Sequence, residues 1–369
     1  MSRYRYKERS PLEYGKLSCD TLMRKFNAAD LPPKNHFHYH QGVFLSGVEN
    51  IYRLCGEVKY KNYVWDWVNS LVKVDGQLTG FDSDELDDVQ PGILLFPMYE
   101  ETKSERYKKP IIELMNVVKH FPTNQEGGFW HKIKNKEQMW LDGLYMAGPF
   151  TALYGRLFGD ASCFESCIFQ ALMMEAKTKD DKTGLWYHAW DSVKERAWAD
   201  EITGRSAEFW GRSIGWVPVA LLDELDCIPE GFHQREELVR MVRELLNAVI
   251  KYQDSSGLWY QVVNKGKEAG NWLETSCSCL FAAAIAKAVY TGILDDTYLT
   301  AAVKAFEGVI DTLKMNGDDL IIGGICIGTG VGDYEHYCKR PTSENDLHGT
   351  GAFLLMCSEV ERALNKTMA

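Results

Sequence analysis

The sequence predicts an all-α protein in which two concentric layers of helices form a ring. Three observations support this fold class. Apolar helices recur along the chain, helices with charged faces alternate with them, and a short tryptophan-containing loop occurs three times. Helices that are apolar nearly all round belong inside a protein, and helices with one apolar stripe cover them. We therefore expect a single domain over residues 1–369.

Composition indicates a globular protein and excludes several partners. The 369 residues are 45% hydrophobic and 25% charged, and a net charge of −11 argues against binding to nucleic acid or anionic membranes. The sequence contains no run of about 18 apolar residues, the length that a helix needs to span a bilayer. The polar first ten residues do not resemble a signal peptide, and the ten cysteines lack a C-x-x-C pair. We therefore expect buried free thiols and a cytoplasmic protein; the oligomeric state is not indicated.

The inner helices are predicted from their polar leading residues. A polar leader over about residues 1–34 should contain one helix and a turn, ending at Pro32-Pro33. Six helices then begin after residues 39, 87, 142, 212, 274 and 346. Their expected ranges are Val43–Cys55, Ile93–Tyr99, a helix beginning at Asp142, Val217–Leu225, Cys277–Tyr290 and Ala352–Leu364.

The outer helices are predicted between the inner ones, where charged residues alternate with one apolar stripe. Their expected ranges are Lys59–Val72, Arg106–Phe121, Cys163–Lys177, Gln234–Gln253 and Thr297–Leu313. The repeated loop follows an outer helix each time. Its copies are Gly128-Phe-Trp-His-Lys132, Gly184-Leu-Trp-Tyr-His188 and Gly257-Leu-Trp-Tyr-Gln261. We expect each loop to bring its tryptophan and a polar residue to the same end of the ring.

If the inner helices all start at one rim, carboxylates, imidazoles, cations and indoles meet there. Such a mixture suits a polyhydroxylated, negatively charged ligand. Each residue also has a structural explanation. Asp87 and Asp142 could be acidic residues that compensate a helix dipole, and Arg212 could pair with Glu208. For Asp142 the alternatives are a helix cap or a catalytic acid whose pKa is raised by Trp140 and Tyr145.

Two further motifs could indicate a metal site or a phosphate-binding loop, but each lacks a feature that such a site needs. His36, His38 and His40 alternate along the chain, but no carboxylate or cysteine adjoins them at ligand spacing, so we expect no metal site. The segment Gly328-Thr-Gly-Val-Gly332 lacks the strand–helix context of a phosphate-binding loop, and a turn is the better interpretation.

Four long motifs resemble one known family. They are Trp130-His-Lys with Gln138-Met-Trp-Leu-Asp-Gly-Leu-Tyr-Met146, Gly184-Leu-Trp-Tyr-His-Ala-Trp190, Trp210-Gly-Arg-Ser-Ile-Gly-Trp216 and Asn345-Asp-Leu-His-Gly-Thr-Gly-Ala-Phe353. In this order they resemble the unsaturated rhamnogalacturonyl hydrolases of glycoside hydrolase family 105. The resemblance extends from about Tyr39 to the C-terminus and implies an (α/α)6 barrel of six inner and six outer helices.

The resemblance also implies roles for individual residues. Asp142 matches the catalytic carboxylate, and Asp87, in preference to Asp88, matches a second one. His188 or Arg212 would hold the substrate carboxylate. No metal or organic cofactor is implied. The positions that match substrate contacts are Tyr39, His131, Lys132, Trp140, His188, Trp210, Arg212 and Trp216.

The implied substrate is a small oligosaccharide made by a polysaccharide lyase, with a Δ4,5-unsaturated galacturonic acid at its end. The implied reaction protonates C4 of the enol ether and adds water at C5. Two alternatives stay open from the sequence. One is an unsaturated glucuronyl hydrolase that acts on fragments of other polysaccharides. The other is a ring-shaped protein that binds sugars, or serves as a scaffold, without hydrolysis.

Overall fold

A computed structural model shows a closed ring of inner helices surrounded by outer helices, and it describes residues 4–367. The inner elements contact one another in sequence order, and the last of them, α13, packs against the first, α2. This closure confirms the predicted all-α fold of concentric layers, the (α/α)6 barrel. The inner helices are α2 Tyr39–Cys55, α4 Leu95–Thr102, α6 Asp142–Phe158, α8 Gly211–Leu225, α10 Thr275–Tyr290 and α13 Leu347–Thr367.

The outer helices match the predicted ranges within a few residues, and the leader adds one more. They are α1 Pro11–Lys25, α3 Val58–Leu71, α5 Glu105–His120, α7 Ala161–Thr178, α9 Arg235–Ile250 and α11 Leu299–Thr312. Helix α1 lies in the predicted leader, begins with a capping box between Ser10 and Glu13, and packs on α13 and α2. The leader therefore supplies the sixth outer helix of the barrel.

Several inner helices begin earlier than predicted. Helix α8 starts at Gly211 and α13 at Leu347. Arg212 and His348, which the prediction places in the preceding loops, are therefore helical. The second inner helix, α4, begins two residues later than predicted, at Leu95 and not at Ile93. Pro91 falls in a short 3-10 helix, Gln90–Leu94, that leads into α4. The other 3-10 helices are Ala28–Asp30, Leu86–Asp88, Val263–Lys265 and Asp296–Tyr298, and a short helix, α12, covers Tyr334–Cys338.

Short antiparallel strand pairs tie the loops together at the helix ends. They pair β1 Gln138–Trp140 with β2 Ala189–Asp191, β3 Trp259–Tyr260 with β4 Leu273–Glu274, β5 Lys314–Asn316 with β6 Asp319–Ile321, and β7 Ile325–Cys326 with β8 Thr342–Ser343. The ten cysteines are all free thiols, as predicted from their spacing. Within residues 4–367, no helix is long and apolar enough to cross a bilayer.

Candidate active site

A cavity of about 500 Å³ lies where the inner helices begin. Nine of the ten predicted site residues line it, and His188 lies behind the wall instead. The nine are Tyr39, Asp87, His131, Lys132, Trp140, Asp142, Trp210, Arg212 and Trp216. Four of the six predicted leading residues, Tyr39, Asp87, Asp142 and Arg212, thus meet in one cavity, whereas Glu274 and Asp346 do not line it.

The three repeated loops share one backbone arrangement, but its register differs by one residue from the predicted alignment. In each copy a glycine with positive φ closes a turn by donating its N–H to a residue three or four positions earlier. These glycines are Gly127, Gly184 and Gly257. The first copy therefore starts at Gly127 and not at Gly128. The shift aligns Phe129 with the buried Trp186 and Trp259. Trp186 and Trp259 are buried in the core and Phe129 packs against it, so none of these three aromatic residues lines the cavity.

The corrected register makes His131, His188 and Gln261 equivalent. Each donates its backbone N–H to a carbonyl of the following segment. Each also accepts, at its own carbonyl, an N–H at the start of a neighbouring inner element. The donors are Leu86, Leu141 and Gly211. The residues that follow these donors are Asp87, Asp142 and Arg212, which explains why two aspartates lie beside two histidines.

Asp87 belongs to the first Asp–His pair and is held by a lysine. Its Oδ1 lies 3.5 Å from His131 Nε2, and its Oδ2 accepts a 2.6 Å bond from Lys132 Nζ. Lys132 also binds Glu85 at 2.7 Å. Burial acts to raise the pKa of Asp87, but His131 and Lys132 outweigh it and hold the pKa below its usual value. Asp88 points elsewhere, toward His38 and the Asp82 amide.

Asp142 belongs to the second pair, and no lysine or arginine ion pair reaches it within the described residues. Its Oδ2 lies 3.2 Å from His188 Nε2 without an aligned hydrogen bond, and the side chain is 14% exposed. Burial acts to raise the pKa of Asp142. His188, His131 and Arg212 together lower it below the ordinary value, so the predicted rise is wrong for the free protein. The side chain also does not cap α6, since no cap hydrogen bond forms there.

His188 is completely buried, so it cannot hold a substrate carboxylate as the resemblance allowed. Its Nδ1 lies 2.7 Å from the hydroxyl of Tyr337, and its Nε2 faces Asp142. Burial lowers the pKa of His188 although Asp142 opposes this effect, which favours the neutral ring. Its contacts therefore place His188 as a support for Asp142.

The cavity wall combines aromatic faces with one buried arginine. The Trp140 ring stacks on His131 with centroids 4.5 Å apart. Arg212 lies over Trp210, 4.5 Å from the ring centroid, and donates to the carbonyls of Cys326 and Ile327. The alternative partner Glu208 binds Lys265 instead. A guanidinium has five N–H donors, so Arg212 retains donors for a ligand anion.

Sequence reasoning missed several cavity residues. His38, His40 and the segment Gly328–Gly330 line the wall. The alternating histidines and the glycine-rich segment are visible in the sequence, but neither was predicted to belong to the site. The fold also brings carboxylates to these histidines. His38 lies with Glu85 and Asp88, and His40 lies with Asp346 and His348, in arrangements that could hold a metal ion. The absence of a metal site therefore stays a prediction.

Comparison with known proteins identifies the family. A sequence model of Glycosyl Hydrolase Family 88 matches residues 14–364. The chain belongs to this family. A solved structure from C. acetobutylicum ATCC 824, described as a glycoside hydrolase from family 105, is 32% identical with a TM-score of 0.90. The match covers 95% of this chain and 99% of that one. The resemblance to family 105 is confirmed, and the protein is a glycoside hydrolase.

The names of two further similar proteins state a substrate. The unsaturated rhamnogalacturonyl hydrolase YesR of Bacillus subtilis (strain 168) is 26% identical over 326 residues, covering 86% of this chain and 88% of YesR. An unsaturated glucuronyl hydrolase from Bacillus sp. GL1 has a TM-score of 0.71 at 15% identity, with 96% of this chain and 97% of that chain covered. The second likeness concerns the fold alone.

Proposed function

We propose that this glycoside hydrolase is an unsaturated rhamnogalacturonyl hydrolase. It would release Δ4,5-unsaturated galacturonic acid from pectin (rhamnogalacturonan) oligosaccharides made by a lyase. The observation that carries the proposed chemistry is that Asp142 has no lysine or arginine ion pair among the described residues. Among the cavity carboxylates of the described chain, Glu85 and Asp87 are ion-paired with lysine, whereas Asp142 is not. It is therefore the carboxylate that is free to exchange a proton.

The chemistry needs one group that gives and later takes a proton. Asp142 donates its proton to C4, the C4=C5 electron pair forms the new C4–H bond, and positive charge develops on C5 and the ring oxygen. Water bonds to C5 and returns a proton to the Asp142 carboxylate. The resulting hemiketal opens, and the neighbouring sugar leaves as an alcohol. Because water and a carboxyl group suffice, no metal or organic cofactor is required.

Other cavity residues would bind and orient the sugar. Arg212 offers its remaining N–H donors to the uronate carboxylate. Trp140, which is only partly buried, would offer an apolar face to a sugar ring, whereas Trp210 and Trp216 line the cavity but are almost completely buried. Asp87, held ionised by Lys132, would accept hydrogen bonds from sugar hydroxyls and place negative charge near the developing cation.

Substrate binding would itself prepare the acid. In the free protein the positive charge of Arg212 helps to lower the pKa of Asp142. A bound uronate carboxylate would offset that charge and exclude water, and both effects favour the protonated carboxyl group. We expect the alkaline limb of kcat to lie at higher pH than that of kcat/KM, because the first reports the complex and the second the free enzyme. Coincident limbs would contradict this coupling.

The direct test uses the loss of ultraviolet absorbance when the C4=C5 chromophore of an unsaturated disaccharide disappears. Wild-type protein should remove it, and Asp142→Asn should not, while the circular dichroism spectra of the two proteins agree. A wild-type rate in Asp142→Asn would refute the assignment.

A panel of lyase-generated disaccharides decides between the open alternatives. Rhamnogalacturonan, glycosaminoglycan, gellan, xanthan and ulvan products share the unsaturated sugar and differ beyond the cleaved bond. Fastest turnover of the rhamnogalacturonan product supports the proposal, whose specific support is the named activity of YesR. Fastest turnover of another product would make the protein an unsaturated glucuronyl hydrolase, and binding without turnover would make it a sugar-binding protein. The cytoplasmic location stays a prediction from the cysteine content.

A further inference from the structure

Tyr337 joins the cavity wall to the carboxylate-supporting histidine. It lies in α12 and is completely buried, with its ring stacked against Trp210 at a centroid distance of 5.8 Å. Its hydroxyl is 2.7 Å from Nδ1 of His188 and accepts a 3.2 Å bond from the amide of Gly332. His188 and Tyr337 are separated by 149 positions in the chain, so this contact is a product of the tertiary fold.

The hydrogen atoms in this arrangement can be assigned from the partners. An ionised Asp142 only accepts, so His188 Nε2, 3.2 Å away, carries a hydrogen. Burial lowers the pKa of His188 and so favours the neutral imidazole, in which Nδ1 has a lone pair and no hydrogen when Nε2 carries one. The Gly332 amide already donates to the Tyr337 oxygen. The tyrosine proton is thus available to Nδ1.

We propose that Tyr337 is a positioning residue that holds His188 in its Nε2–H tautomer, so that the ring hydrogen lies on the nitrogen that faces Asp142. The proposal rests on the proposed function insofar as Asp142 is the acid. An N–H on the nitrogen 3.2 Å from Oδ2 of Asp142 places positive partial charge beside that oxygen, which leaves the other oxygen to carry the transferred proton and stabilises the carboxylate after the transfer. The equivalent His131 shows the contrast, since its Nδ1 has no hydrogen-bond partner among the described residues.

The same contacts give the glycine-rich segment Gly328–Gly332 a role. Gly328, Thr329 and Gly330 line the cavity, while Gly332 donates to the tyrosine. Arg340 fixes the segment from outside through Gly328 and Thr329. The wall that a sugar would touch is therefore joined by hydrogen bonds to Tyr337 and, through it, to His188.

The test compares Tyr337→Phe with Tyr334→Phe. Phenylalanine keeps the ring against Trp210 and removes only the hydroxyl. Tyr334, also in α12, donates to the Ala269 carbonyl at the surface and serves as the matched control. In Tyr337→Phe we expect kcat on the unsaturated disaccharide to fall about tenfold with KM changed less than twofold, from the loss of one buried hydrogen bond. Tyr334→Phe should match wild type.

A second measurement tests the tautomer without any substrate. Nuclear magnetic resonance of protein labelled with 15N-histidine distinguishes the two neutral tautomers, and the His188 signals are assigned by their absence in His188→Gln. Wild type should show the Nε2–H form, and Tyr337→Phe should shift His188 toward the Nδ1–H form. An Nδ1–H form in wild type, or an unchanged tautomer in Tyr337→Phe, overturns the proposal. Because no turnover is needed, this result is independent of whether the proposed reaction occurs.

Discussion

The two Asp–His pairs at the rim occupy equivalent places in the barrel and differ in their neighbours. Asp87 beside His131 is bound by Lys132, whereas Asp142 beside His188 has no such cation, and its histidine is bound by Tyr337. A lysine contact keeps a carboxylate ionised, but a neutral imidazole can support both protonation states. The comparison shows that the neighbouring side chain, and not the backbone position, decides whether the aspartate has a cationic partner.

The third repeated loop, which ends at Gln261, extends the comparison. Here Arg212 takes the place of the aspartate and Gln261 that of the histidine. Gln261 binds Trp210 and the backbone of Tyr337 and does not titrate. Three copies of one loop–helix joint thus present to the same cavity an aspartate paired with a lysine, an aspartate without a lysine or arginine ion pair among the described residues, and an arginine.

The largest effect should come from neutralising the two aspartates separately. We expect Asp142→Asn to lower kcat by about 10³-fold, in the range of general acid catalysis. Asp87→Asn should lower kcat by about tenfold, because it removes a nearby charge and no proton donor. Initial rates on the unsaturated disaccharide measure both. Equal losses in the two variants would remove the distinction between the pairs.

The next largest effect should be the loss of stability when Lys132 is removed. In Lys132→Met the buried Asp87 and the partly buried Glu85 lose their shared cation, and we expect a loss of about 3 kcal/mol in the free energy of unfolding. Urea denaturation measures the loss. Lys134→Met is the matched control, since Lys134 also contacts Glu85 but is largely exposed, and it should change stability by less than about 0.5 kcal/mol. Similar losses in the two variants would mean that burial of the Asp87–Lys132 pair is unimportant.

The smallest effect is the pH dependence of the stability difference between wild type and Lys132→Met. Because the pKa of Asp87 is depressed in the folded protein, its stabilising contribution is present above the ordinary pKa of aspartate, about 4. It is lost as pH falls through the folded pKa. The stability difference between wild type and Lys132→Met should therefore be constant near neutrality and shrink below about pH 4. A difference that grows on acidification would contradict the depressed pKa.

Much of the fold was predictable because its signals are local. The alternation of apolar and charged helices follows from hydrophobic periodicity, and the predicted outer helices agree with the structure within a few residues. The errors fell where local signals conflict with packing. Arg212 and His348 are polar residues inside buried helices, where the polar pattern predicts a loop. The helix predicted in the leader is present as α1, but its place as an outer helix of the barrel was not predicted.

The sequence by itself determined the ring of helices and the residue types that meet at its rim, because periodicity and chain order place every inner helix start at one end. Only the tertiary structure decided which aspartate is paired with Lys132, that His188 is buried behind Asp142, and that Tyr337 reaches it. These outcomes depend on contacts between residues distant in the chain. The burial and the neighbouring charges that set a pKa exist only after the loops have packed.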